Sequence, residues 1–217
     1  MSLILHYGSG SPYAWRAQLA LEHKALSYER KILSFSDGDT RKPEFVALNP
    51  RHQVPVLVDG DFILYESNAI VEYLDEAHPA TGAPLFPGDA RTRALARRLI
   101  LEIDNYFYKA ADPVFAQAFW VKPGERNTET IAAGKKAIAE EAALFTASMR
   151  GEFLAGPLSA ADFALYPLIA FAKRFEDKKL PDLGFETLFT PQLLAWKQRI
   201  EALPFFDKTI PPHWKEG

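Results

Sequence analysis

An α/β domain followed by an all-α domain is the fold class this sequence predicts, and two observations carry it. Through residue 79, strand-type apolar runs alternate with helix-type periodicity in the order βαβαββα. Beyond residue 90 no convincing strand follows, only apolar positions at helical spacing. Between them, residues 78–88 read His-Pro-Ala-Thr-Gly-Ala-Pro-Leu-Phe-Pro-Gly, and three prolines with two glycines cannot continue a helix. The expected organisation is a first domain over 1–79, a linker over 80–90 and a helical domain over 91–217.

Each element has its own local reason. Residues 3–7 read as a strand that ends in the turn Gly8-Ser9-Gly10. Residues 12–23 read as a helix opened by Pro12, with Ala17, Leu19, Ala20 and Leu21 supplying its apolar positions. Residues 28–33 form a second strand, and 43–48 a short helical turn stopped by Asn49-Pro50. Residues 54–59 and 62–65 are strands joined at Asp59-Gly60-Asp61, a hairpin signal. Residues 67–76 place Ile70, Val71 and Leu74 on one helical face. After the linker, residues 91–118 carry Leu95, Leu99, Ile103 and Phe107 at four-residue spacing, with Pro113 expected to kink the helix. Further helices are expected over 129–149, 160–175 and 191–201.

Composition narrows the chemistry. The 217 residues are 48% hydrophobic and 24% charged, ordinary for a chain with a sizeable core. A net charge of -3 with no basic stripe points away from nucleic acid and anionic membranes. No run approaches the ~18 apolar residues of a membrane span, and the first residues lack a secretory pattern. A cytoplasmic protein is therefore expected. With no cysteine there is no disulfide, thiolate metal site or cysteine nucleophile. His6, His23, His52, His78 and His213 are scattered without i, i+4 pairing, so no metal site is expected. No glycine-rich phosphate loop follows Gly8 and Gly10.

Four motifs remain. The first is Gly10-Ser11-Pro12-Tyr13-Ala14-Trp15-Arg16. On its own, Ser11 is an N-cap with proline at the first helical position. The second is Asn49-Pro50-Arg51-His52-Gln53-Val54-Pro55-Val56-Leu57, and the third Tyr65-Glu66-Ser67-Asn68-Ala69-Ile70, with a hairpin between them. The fourth, Gly156-Pro157-Leu158-Ser159-Ala160-Ala161-Asp162-Phe163, places Ser159 and Asp162 as a capping box whose role is folding.

Taken together these motifs resemble the cytosolic glutathione transferases over essentially the whole chain, in particular their serine-type tau-, phi-, zeta- and theta-like members. The resemblance implies a thioredoxin-like first domain and an all-helical second. It implies glutathione as co-substrate, with Ser11 as the catalytic hydroxyl that stabilises its thiolate. A thiol of pKa ~8.5 is mostly protonated at pH 7, and a hydroxyl donor at a helix N-terminus favours the anion. Capping and catalysis are compatible, since a hydroxyl accepts and donates at once.

By the same resemblance the Val54–Pro55 peptide is cis, and the backbone of Val54 pairs with the cysteinyl part of glutathione beside Gln53. Glu66 takes the α-ammonium of the γ-glutamyl group, and Ser67 takes its carboxylate. Arg41 faces the glycyl carboxylate, with Lys42 as competitor. Tyr7 stands where tyrosine-type members carry their hydroxyl and reads here as packing; Ser9 is a further donor to weigh. Tyr13, Tyr108 and Phe115 are the residues expected to line the electrophile pocket. Tyr13 also replaces the cysteine of zeta-like isomerases, against a maleylacetoacetate isomerase. The expected activity is conjugation to small hydrophobic electrophiles by a homodimer. Its rivals are a non-catalytic ligand-binding or regulatory member and a glutathione-dependent isomerase.

Overall fold

The computed structural model describes residues 3–215 and divides them into two compact units, residues 3–86 with 203–215, and residues 87–202. The first is built on four strands, β1 (Leu3–Gly8), β2 (Tyr28–Leu33), β3 (Val56–Asp59) and β4 (Phe62–Tyr65). Their order is β2-β1-β3-β4, with β1 parallel to β2 and the other pairs antiparallel. Leu3, Leu5 and Tyr7 alternate into the core from β1, as a half-buried strand requires. The β3–β4 hairpin pairs Asp59 with Phe62, leaving the two-residue loop Gly60-Asp61. Gly60 has φ 63°, a backbone state that glycine enters without strain.

Helix α1 (Pro12–His23) follows β1, and α3 (Ser67–Ala77) follows β4; the two pack on each other. Between β2 and β3 lie a 3₁₀ turn (Asp39–Arg41) and the short α2 (Pro43–Val46). The core joins Leu5, Leu19, Leu21, Leu57, Ile70 and Leu74, each fully buried. Strand β3 begins at Val56, two residues later than expected, because pairing starts only after the cis peptide Val54–Pro55.

The sequence-based boundary over 91–217 needs correction at its end. Residues 203–215, including the 3₁₀ turn Phe206–Lys208 and the short terminal helical turn Pro212–Lys215, group with the first unit. The indole N–H of Trp15 donates to Thr209 Oγ1 at 2.9 Å, and the Arg30 guanidinium to the Lys208 carbonyl at 3.1 Å. The expected linker is anchored too. Asp75 accepts the backbone N–H groups of Leu85 and Phe86 at 2.8 and 3.2 Å, and both side chains are buried. Proline and glycine stop a helix there without setting the chain free.

The helical unit starts with a continuous run of α4 (Ala90–Glu102), a π-helical segment (Ile103–Phe107) and α5 (Tyr108–Trp120). The helix continues through Pro113. The unit goes on with α6 (Thr128–Ser148), α7 (Ala160–Lys178), α8 (Phe185–Leu188) and α9 (Pro191–Glu201). Asp89, Asn127 and Thr190 cap α4, α6 and α9 by accepting a first-turn N–H. The first eleven residues of α7 are all buried, and Asp162 is buried among them. No helix among the described residues is long and apolar enough to cross a membrane.

Candidate active site

Strand register brings Ser11, Val54 and Glu66 to one edge of the sheet, the end where β1 and β4 finish and β3 begins. His6 pairs with Val56, and Val56 with Tyr65. The chain therefore leaves β1 toward Gly8 and Ser11 at the same edge where it enters β3 from Val54 and leaves β4 toward Glu66. Val54 precedes the first paired residue of β3, so its peptide groups lie outside the ladder.

Ser11 is the N-cap of α1, with extended φ and ψ of -68° and 121° and Pro12 behind it. Its Oγ accepts the Ala14 N–H at 3.3 Å. That contact uses a lone pair and leaves the hydroxyl proton for an acceptor. The side chain is part-exposed, at the positive end of a twelve-residue helix.

At the next corner Glu66 adopts φ 71° and ψ 108°, a conformation that costs a non-glycine residue about 1–3 kcal/mol. Its carboxylate makes no cap hydrogen bond to α3. Ser67, only 6% exposed, opens the helix. Its Oγ accepts Arg16 Nη1 at 3.3 Å, and the same nitrogen donates to Asn68 Oδ1. Arg16 is itself 2% exposed and lies 5.2 Å over the Tyr13 ring. Sequence reading passed over this arginine as one letter of a motif. Here it ties the second turn of α1 to the first turn of α3.

The turn before Val54 is organised by Asn49. Its Nδ2 donates to the Gln53 carbonyl at 2.8 Å, and its Oδ1 accepts the Arg51 N–H at 2.9 Å. His52, at φ 58°, reaches the Thr40 carbonyl through Nδ1 at 3.1 Å. Gln53 itself is exposed. Arg41 and Lys42 differ in what holds them. Lys42 Nζ lies 2.6 Å from Asp39, whose carboxyl Lys42 and the Ser34 N–H hold below the usual carboxylate range. Arg41 is exposed and forms no ion pair among the described residues.

The alternative donors have different surroundings. Tyr7 is 3% exposed, and burial raises its pKa against the smaller pull of Arg30 and Gln18. Ser9 Oγ lies 2.7 Å from His213 Nδ1. Of the remaining aromatic candidates, Tyr13 is part-exposed at the start of α1. In the helical unit, Tyr108 bonds to Asp112 and burial raises its pKa. Phe115 packs into an aromatic cluster, 5.3 Å from Phe171 and 5.1 Å from Phe175, and is 5% exposed. Those are core contacts of its own unit.

Residues 10–77 match the glutathione S-transferase N-terminal domain. Across nearly the full length, the chain is 30% identical to glutathione S-transferase A of Pleuronectes platessa, covering 99% of this chain and 94% of the relative. The chain belongs to the glutathione S-transferase family. It is also 34% identical to a probable maleylacetoacetate isomerase of Vibrio cholerae, covering 97% of this chain and 96% of the relative. A glutathione S-transferase from the Antarctic clam Laternula elliptica superposes with a TM-score of 0.84 at 29% identity, over 100% of this chain and 95% of that one. This glutathione S-transferase thus has relatives with two different reaction names. The matched segment contains Ser11, Arg41, Gln53, Val54, Glu66 and Ser67.

Proposed function

We propose that this glutathione transferase conjugates glutathione to small hydrophobic electrophiles and uses Ser11 to stabilise the thiolate. The observation that carries the reading is the edge at which Ser11, Val54 and Glu66 converge through the His6–Val56–Tyr65 register. Glu66 takes the α-ammonium of glutathione; Ser67 and the first N–H groups of α3 take the adjacent carboxylate. The peptide groups of Val54, outside the ladder, pair with the cysteinyl residue, Gln53 flanks it, and Arg41 meets the glycyl carboxylate. The Ser11 hydroxyl then donates to sulfur while the Ala14 N–H holds its oxygen. The thiolate attacks the electrophile directly, so catalysis consists of positioning and stabilisation of the anion without an enzyme-bound covalent intermediate.

Tyr13 and Tyr108 are assigned to electrophile specificity, and the working enzyme to a cytoplasmic homodimer, as in the family. The relationship to a named isomerase supports a second reading, glutathione-dependent isomerisation at the same thiolate. A non-catalytic ligand-binding role is the outcome if bound glutathione has an ordinary thiol pKa and no substrate turns over. The test is ultraviolet titration of the bound thiol with pH–rate profiles for Ser11→Ala and Tyr7→Phe. Ser11→Ala is expected to raise the thiol pKa and to lower turnover near pH 7 by about 10-fold or more, up to the ~10²-fold seen for loss of one oxyanion donor. A raised pKa in Tyr7→Phe with none in Ser11→Ala overturns the serine assignment.

A further inference from the structure

The end of the chain returns to the turn that presents Ser11. Ser9 Oγ and His213 Nδ1 stand 2.7 Å apart across 204 positions of sequence. The same imidazole covers Gly10, whose φ is 85°; a Cβ there would lie 2.9 Å from His213 Cε1 and 3.6 Å from Trp214 Nε1. Glycine at position 10 thus answers two demands, a left-handed backbone and room for the returning segment. Trp214 packs edge-on against Trp15, with ring centroids 5.2 Å apart. Lys215 Nζ donates back to the Asp207 carbonyl at 2.7 Å. Together with the Trp15–Thr209 and Arg30–Lys208 bonds, these contacts moor the segment along its length.

The turn itself is short and rich in glycine. Ser9 sits between two glycines, the residues with most backbone freedom. Across the turn, one backbone bond runs from the Ser11 N–H to the Gly8 carbonyl at 3.1 Å. Displacements of about 1 Å in such a site cost up to ~10²-fold in rate.

Resting on the serine-type reading above, we infer that His213 is a positioning residue for the thiolate chemistry. Through Ser9 it fixes the Gly8–Ser11 turn and so the direction of the Ser11 hydroxyl. Glutathione itself is held elsewhere, at Glu66 and Ser67, so the effect falls on the thiol and not on affinity.

The experiment compares His213→Ala, His213→Gln, His213→Asn and Ser9→Ala by turnover, thiol pKa of bound glutathione, and calorimetric Kd. Asparagine places a hydrogen-bonding atom where Nδ1 stands, whereas glutamine places it farther along the side chain. The Ala and Gln variants at 213, and Ser9→Ala, are expected to lose about three- to tenfold in kcat, the scale of one hydrogen bond. Their thiol pKa rises, Kd stays within about twofold, and His213→Asn recovers most of the loss. The double variant Ser9→Ala/His213→Ala is no worse than either single one. Equal damage from Asn and Ala, multiplied losses in the double variant, or a defect confined to Kd overturns the inference. Ser11→Ala, run alongside, separates the two ideas. If it leaves the thiol pKa in place, the serine reading fails. If it raises the pKa while His213→Ala does not, only the role of His213 fails.

Discussion

Replacing Asp162 with alanine tests the helical unit where the structure gives the sharpest magnitude. The carboxylate is fully buried and accepts four hydrogen bonds. The Leu154 N–H and the Trp196 indole N–H reach Oδ1 at 2.9 and 2.7 Å; the Ser159 N–H and hydroxyl reach Oδ2 at 2.8 and 3.1 Å. Alanine leaves two backbone N–H groups and an indole N–H buried without an acceptor, at about 1–3 kcal/mol each. Water entering the vacated space recovers part of that, so about 4 kcal/mol of lost stability is expected at pH 7.

The pH dependence adds a signature with a definite sign. Burial, opposed by the four donors, pushes the Asp162 carboxyl from 3.8 up to about 6. The folded state then holds the proton more tightly than the unfolded chain. This residue's contribution is greatest below pH 4, declines by about 3 kcal/mol as pH rises to 6, and is level above. The other carboxyls titrate in both proteins and cancel in the difference. Urea unfolding of wild type and Asp162→Ala, followed by circular dichroism at pH 4.5 and pH 7, should therefore show a wider gap at the lower pH. Ser159→Ala removes one hydroxyl donor and should cost about 1 kcal/mol. A gap below about 1 kcal/mol at pH 7, or one that narrows on acidification, would refute the reasoning.

Three other expectations are simpler to check. Glu66→Ala should weaken glutathione binding by about 10- to 150-fold, the equivalent of roughly 1.5–3 kcal/mol for a charge-assisted hydrogen bond; unchanged calorimetric affinity removes Glu66 from the site. Gly134→Ala puts a Cβ 2.4 Å from Val114 Cγ2, where α6 meets α5. Despite alanine's better helix propensity, it should destabilise by about 1–3 kcal/mol, and an increase in melting temperature rejects that packing account. Light scattering at micromolar concentration should give twice the 24.4 kDa of one chain, whereas the single-chain mass would exclude a stable homodimer.

The first unit was legible because its signals are local. Pro12 opens α1 where expected, and β2 and β4 have the expected bounds, as α9 does in the second unit. What stayed hidden depends on contacts between residues far apart in sequence. Arginine is seldom fully buried unless paired, and the partners that allow it at Arg16 lie at Ser67 and Asn68. Nothing in residues 203–215 announces that they belong beside α1; that follows from Trp15 meeting Thr209 and Trp214. Of the candidate site, residue types and motif spacing were readable. The shared sheet edge came from register, and the differing holds on Lys42 and Arg41 came from Asp39.

The π-helical segment Ile103–Phe107 gives the long helix of the second unit an unusual property. Leu99, Ile103, Phe107, Ala111 and Phe115 are all buried and recur every fourth residue. On a regular α-helix each such step overshoots a full turn by about 40°, and the buried stripe would wind away from its neighbours. A wider i→i+5 turn takes up the excess. The two halves can then meet different neighbours, α4 packing on α7 while α5 turns chiefly to α6 and reaches α7 through Phe115. In effect the rod carries a phase adjuster at its middle. A single extra residue is absorbed there, where anywhere else it would rotate every later side chain by about 100°.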